Sequence, residues 1–145
     1  MYPEITVSYQ PKFKASERPV IKQSDDAYRI LIGNWDLNKI QFQEQLYMLL
    51  LNTANKVIGI SLISAGGKSG TVADPKIIFS IALKAQASGN ILAHSHPSEN
   101  LNPSKADLQL TSKLVQAGKA LDLPILDHLI VTTYNYYSFG DEGLI

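Results

Sequence analysis

From Glu44 to Asn52 the chain reads EQLYMLLLN, a short apolar run closed by the turn-like NTAN, after which VIGISLISAGG runs back at strand length. Short apolar runs bounded by turn residues predict buried strands, and the tight connection makes these two antiparallel neighbours. The period then changes. Asp74-Pro75 supplies a cap followed by proline at the first helical position, and Ile77, Ile78, Ile81, Ala82 and Ala85 recur at helical spacing until Gly89. ILAHSH, residues 91–96, follows as a buried strand. From Ser104 to about Leu121, the positions Leu108, Thr111, Leu114, Val115 and Gly118 fall on nearby turns of a second long helix, which Pro124 prevents from continuing. ILDHLIVTT and YYSFG close the chain as strands joined by the turn Tyr134-Asn135.

Upstream the signals are shorter. Ser24 is placed to cap a helix with Asp25 and Asp26 in its first turn, Ile30 and Leu31 following, and Gly33-Asn34 at its end. Residues 4–13, EITVSYQPKF, alternate as a short strand, and Pro11 with the polar KASERPVIKQ behind it confines that strand to an edge or a draped arm. Residues 1–23 therefore read as an N-terminal arm or edge strand and residues 24–145 as one domain. Strands and helices mix without the regular alternation of a doubly wound fold, which predicts an α/β protein with a mixed β-sheet packed against helices.

Composition narrows the chemistry. Apolar residues make up 45% and charged residues 18%, the balance of a soluble globule. Thirteen basic and thirteen acidic residues give zero formal net charge, so attraction to DNA would need a local patch and composition does not support it. The absence of cysteine excludes disulfides, thiolate zinc sites and cysteine nucleophiles, leaving histidine and carboxylate as metal ligands. MYPEITVSYQ lacks a basic n-region with an apolar h-region, and no apolar run approaches the roughly 18 residues that span a bilayer. The expectation is a cytoplasmic protein without a membrane segment. Gly66-Gly67 and Gly70 make a flexible turn, but no GxxxxGK[ST] pattern follows to bind phosphate.

HSHPSENLNPSKAD, residues 94–107, concentrates the candidate chemistry. In a strand, residues two apart share a face and lie about 6.5–7 Å apart, so His94 and His96 can converge on one ion at the strand's C-terminal end. Catalytic zinc commonly takes three protein ligands and leaves a fourth position for water, and Asp107 is the natural third. The helix carrying Asp107 starts directly after the loop leaving His96, and Pro97 and Pro103 stiffen that return. The plainer reading of Ser104 and Asp107 is a capping box, with serine covering an orphan amide and the acid at the positive helix end.

His94-x-His96, seven intervening residues, Ser104, two more and Asp107 match the HxH-x7-S-x2-D signature of JAMM (JAB/MPN) metalloproteases at every defining position. The wider text, ILAHSHPSENLNPSKADLQLTSKLVQAGKALDLPILDHLIV followed by YYSFGDEGLI, resembles the bacterial RadC branch of that family from about residue 24 onward. Ser95 and Glu99 stand where RadC-like chains usually show asparagine and glycine. The chain has no room for the helix-hairpin-helix DNA-binding module of full-length RadC proteins, so it looks like the short form.

The resemblance implies a JAB/MPN, cytidine-deaminase-like three-layer fold and a Zn2+-dependent hydrolase acting on a peptide or isopeptide bond in a peptide or protein substrate. It implies His94, His96 and Asp107 as metal ligands, Glu44 as the general base and Ser104 as donor to the developing oxyanion, a role that competes with helix capping. It also leaves open an accessory role in DNA repair or recombination without protease activity, a pseudoenzyme that uses the cleft for protein contacts, and a homodimer. His128 reads as structural. Asp122, Asp127, Glu142 and Glu99 read as turn, edge or solvated acids, and Tyr134, Tyr136 and Tyr137 as packing against the sheet.

Overall fold

The computed structural model describes residues 2–6, 14–67 and 73–145. After a short 3-10 turn, α1 (Ser24–Asn34) leads to β1 (Gln45–Leu51) and β2 (Val57–Ala65), then α2 (Pro75–Lys84), β3 (Gly89–Ser95), α3 (Lys105–Ala120), β4 (Ile125–Val131) and β5 (Tyr136–Ser138). The expected strand over residues 4–13 falls largely on residues outside those described; residues 4–6 carry no regular structure. None of the described helices is long and apolar enough to cross a membrane.

The five strands form one mixed sheet in the order β2-β1-β3-β4-β5. Only β3 and β4 run parallel, because α3 provides the crossover between them; the other pairs are antiparallel. The fold is the α/β mixed-sheet architecture expected from the sequence. The central strands β1 and β3 are buried on both faces because helices cover both, whereas the edge strand β2 is partly exposed. In β1, Leu46, Met48 and Leu50 pack with Ile78, Phe79 and Ala82 of α2 and Leu114 of α3. The alternate residues Leu49 and Leu51 join Ala27 and Leu31 of α1, with Trp35 and Ile40. The same alternation in β3 sends Leu92 to the α2/α3 face and Ile91 and Ala93 to the α1 face. By that parity His94 lies on the α2/α3 side, toward the start of α3.

Helix starts follow the expected chemistry with one shift. Asp74 caps α2 by accepting from Lys76 N at 2.9 Å, with Pro75 as the first helical residue. Ser24 is the first residue of α1 rather than its cap. Asp26 reaches back to the residues before the helix, its Oδ2 accepting from Lys22 N at 2.8 Å and from N of the cap residue, Gln23, at 3.2 Å. The Ser24 hydroxyl instead meets Tyr136 and Asp141, tying α1 to the chain's last strand and turn.

Asp127 departs from the solvated acid that the sequence suggested. It is only 8% exposed, because the turn after β5 folds back over it. Its Oδ1 accepts from His128 N at 2.7 Å and Gly140 N at 2.9 Å, and its Oδ2 from the Ser138 hydroxyl at 2.6 Å. Burial pushes its carboxyl above the ordinary range against the pull of those three bonds. An acid raised in the folded state gives its full contribution below the unfolded value of about 3.9 and loses it as pH climbs through the folded value. Asp127→Asn retains an oxygen for both backbone donors and has nothing to titrate. It should therefore gain stability on the wild type between about pH 4 and pH 7, whereas Asp127→Ala, leaving the donors unpaired, should cost about 2 kcal/mol or more. Urea midpoints at the two pH values check this; a wild type that gains on the asparagine variant as pH rises contradicts it.

The tyrosines divide. Tyr136 stacks on Tyr28 with centroids 4.8 Å apart and Tyr137 meets Phe139 edge-on at 5.4 Å, as expected of residues packed on the sheet. Tyr134, at the turn, is 86% exposed.

Candidate metal centre

The site is assembled at the C-terminal end of the central strand β3. His94 is the penultimate strand residue, and His96 follows where the chain leaves the sheet. The loop from Pro97 to Pro103 then delivers the first turn of α3. Asp107 sits at the third helical position, and Ser104 is the cap. Glu44 enters from the neighbouring strand, just before β1, its backbone fixed to the far end of β2 by Glu44 N to Gly67 O and Gly66 N to Glu44 O, both 2.8 Å.

These elements bring Glu44, His94, His96 and Asp107 into one group whose ligand atoms all lie within 4.8 Å of one another. The two Nε2 atoms of His94 and His96 are 3.0 Å apart. Nε2 of His94 is 3.3 Å from one Asp107 oxygen and Nε2 of His96 is 3.2 Å from the other. Ligand atoms 2.0–2.1 Å from a tetrahedral zinc ion are themselves about 3.3 Å apart. Each of the three contacts is therefore close to the separation of two ligands on one such ion, the Asp107 carboxylate meeting His94 through one oxygen and His96 through the other. The hydrogen bonding of His96 agrees: Nδ1 lies 2.6 Å from the Asn100 carbonyl, which only accepts, so Nδ1 carries a hydrogen, and in the neutral, metal-binding ring the lone pair is on Nε2, facing the cleft. An imidazole–carboxylate donor set of this kind suits a divalent transition metal.

The electrostatics are those of a half-buried charge cluster. Burial opposes ionisation of Asp107, yet the bonds from His94 and His96 and from Ser104 N hold its carboxyl well below the usual carboxylate range. Burial also opposes charge on His96, but the Asp107 and Asn100 bonds outweigh it and raise the imidazole. Glu44 is raised chiefly by burial and by Asp107, against the pull of the two histidines. The cluster opens into a cleft of about 640 Å3 whose walls include Leu46, Ala73, Pro97, Pro103 and Leu110.

Capping and the site do not compete for Ser104. Its Oγ accepts from Asp107 N at 3.0 Å while Asp107 Oδ2 accepts from Ser104 N at 2.8 Å, a complete capping box. Accepting leaves the hydroxyl hydrogen unspent, and Ser104 lines the cleft. The two readings of this pair are one arrangement, since the box is what turns Asp107 toward the histidines.

Three residues acquire a place at the site that the sequence had not given them. Ser95 is buried and accepts from Gln45 N at 3.0 Å while its hydroxyl donates to Gln43 O at 3.2 Å, holding the residues on both sides of Glu44. His128, read as structural, is fully buried with Nε2 2.7 Å from His94 Nδ1. Thr111 joins it at 2.6 Å; its position four residues after Asp107 on one helix face was the available signal. Glu99 remains exposed as expected, but its φ of 65° is the left-handed conformation that favours glycine, the residue RadC-like chains usually carry there. Its carboxylate accepts from Gln41 Nε2 at 2.6 Å, linking the loop after β3 to the loop before β1. Asp122 and Glu142 are exposed and away from the site.

A family model described as the RadC-like JAB domain matches residues 21–144. The chain belongs to the RadC-like JAB domain family. Over 127 residues it is 50% identical to a UPF0758 protein of Flavobacterium johnsoniae, covering 86% of this chain and 53% of that relative. It is 43% identical over 104 residues to a UPF0758 protein of Porphyromonas gingivalis, covering 71% and 46%. A UPF0758 protein of Alkaliphilus metalliredigens is 36% identical over 125 residues, covering 86% and 53%. The RadC-like chain thus spans about half the length of the curated relatives it matches.

Proposed function

We propose that this RadC-like domain is a zinc-dependent metallohydrolase that cleaves a peptide or isopeptide bond, with His94, His96 and Asp107 holding the metal, Glu44 carrying the proton and Ser104 stabilising the oxyanion. The observation that carries this reading is the convergence of two imidazole nitrogens and the Asp107 carboxylate, with contacts of 3.0–3.3 Å, beside the buried Glu44 carboxylate in one open cleft. When bound, zinc supplies a Lewis acid that polarises a carbonyl and lowers the pKa of water to about 7.

The residues divide the remaining work. Glu44 is 8% exposed and fixed by its main chain, so its carboxylate is positioned to take a proton from water and return it to the departing nitrogen. Burial raises it toward the range where both transfers are accessible. The Ser104 hydroxyl, already accepting from Asp107 N, has its hydrogen left to donate where charge develops on the scissile carbonyl oxygen. The apolar walls and open mouth of the cleft suit an extended segment of peptide rather than a small charged metabolite.

The test is a panel of fluorogenic peptides and lysine-linked isopeptides given to zinc-loaded protein, with turnover expected to stop on chelation and return with zinc. Turnover that survives complete removal of metal opposes the reading. Within that assay Ser104→Ala should lower kcat by about 10²–10³ with zinc content unchanged, while costing about 1 kcal/mol of stability for the lost cap. Ser104→Thr should recover most of both. An alanine variant with wild-type kcat would leave Ser104 as a cap alone.

A further inference from the structure

His128 is the one buried imidazole that the proposed chemistry does not use, and its bonds run from one proposed ligand to another. His94 Nδ1 is 2.7 Å from His128 Nε2; His128 Nδ1 is 2.6 Å from Thr111 Oγ1; Thr111 Oγ1 donates to the Asp107 carbonyl at 2.8 Å. The last bond fixes the direction of the others. A carbonyl only accepts, so the single hydroxyl hydrogen of Thr111 is committed there. Thr111 must then accept from His128, which places a hydrogen on His128 Nδ1. A neutral imidazole carries one hydrogen, so His128 Nε2 is a bare acceptor and takes the Nδ1 hydrogen of His94. In the neutral, metal-binding form, His94 is then left with its lone pair on Nε2, facing Asp107 and His96.

Burial on every side disfavours a charge on His128: it is 0% exposed and stacked on Phe139 with ring centroids 4.9 Å apart. Register explains how it reaches the site. His128 pairs with Leu92 across the parallel β3–β4 ladder and lies one pleat from His94 on the same face.

We propose that His128 is a positioning residue for the metal centre, a neutral imidazole that sets the tautomer and ring orientation of His94 and, through Thr111, joins the ligand on β3 to the ligand on α3. This rests on the metal-centre reading above. His94 and His96 are thereby oriented in different ways: His96 donates Nδ1–H to a loop carbonyl, whereas His94 donates to another side chain whose own hydrogen is spoken for. A carboxylate in place of His128 would fill the same acceptor role but add a buried negative charge beside Phe139. A neutral acceptor orients His94 without that cost.

Zinc affinity measured by competition with a chromophoric chelator, on folded protein stripped of metal, tests this. His128→Phe fills the space and removes the acceptor, and zinc affinity should fall about 10–100-fold. His128→Gln carries its amide to the Nε2 position and should stay within a few-fold of wild type. His128→Asn carries its amide only to the Nδ1 position, reaching Thr111 but not His94, and should fall like phenylalanine. A role in packing alone would not rank glutamine above asparagine. If the phenylalanine variant fails to fold, the glutamine–asparagine comparison decides. Equal affinities for glutamine and asparagine, or a wild-type affinity for a folded phenylalanine variant, overturn the proposal while leaving the metal centre standing. A wild type that takes up no zinc overturns both.

Discussion

Glu44→Gln should keep its zinc and lose about 10²–10⁴-fold in turnover, the range set by removing a general acid–base from a reaction that needs one. Glutamine has the shape of glutamate, and nothing that places residue 44 depends on its charge. The backbone is held by Gly66 and Gly67, and its chain neighbours by Ser95. What disappears is the ability to accept and return a proton. The two imidazoles and the carboxylate that meet at 3.0–3.3 Å come from other residues, so metal uptake should not change. Metal content and kcat are to be measured on the same preparation. Loss of zinc with activity would make Glu44 a ligand, and retention of both would remove it from the chemistry.

Asp107 separates in the opposite sense, because one carboxylate serves two structures. Its oxygens face His94 and His96, and Oδ2 also accepts from Ser104 N to complete the capping box. Asp107→Ala should abolish tight zinc binding, a loss beyond the roughly 10–100-fold of an outer-shell change, and destabilise the start of α3 by about 1 kcal/mol. Asp107→Asn retains an acceptor for Ser104 N but not the charge. It should keep the cap, lose the stability that the ionised carboxylate contributes at neutral pH, and bind zinc poorly. Thermal melts of metal-free protein paired with zinc titrations resolve the two effects. An asparagine variant as unstable as alanine would mean that the charge, rather than the cap, holds the loop.

The sequence carried more of this arrangement than short motifs usually do, for a physical reason. His94 and His96 share a strand face by period two, and Ser104 and Asp107 share a first helical turn, so each pair is set by local geometry that spacing reports. The central strands were legible because helices on both faces make them apolar throughout, and α2 because Asp74-Pro75 marks its start. Long-range packing was less accessible. Glu44 meets the histidines only because β1 and β3 are neighbours in antiparallel register, which pairs Leu46 with His94. Family resemblance pointed to Glu44; spacing alone did not.

The misreadings and omissions share a cause. Asp127 looked solvated because acids in strands usually are, but the end of β5 and the turn after it bring the Ser138 hydroxyl and Gly140 N, which join the neighbouring His128 N as donors. His128 is buried and hydrogen-bonded as a structural residue should be, and which side chains it meets was hidden because they lie 34 and 17 residues away. Ser95 appeared only as a difference from the family pattern, although its hydroxyl braces the residues around Glu44. In each case the sequence supplied the group and tertiary packing supplied its partner.

The central claim is that His94, His96 and Asp107 form a metal centre in this RadC-like domain. Elemental analysis of purified protein after equilibration with zinc and removal of the excess tests it most directly, with His96→Ala prepared in parallel. About one zinc per chain is expected in the wild type, and its loss is expected from the folded variant. A folded wild type that retains no zinc, or a His96→Ala protein that retains as much as the wild type, would contradict it.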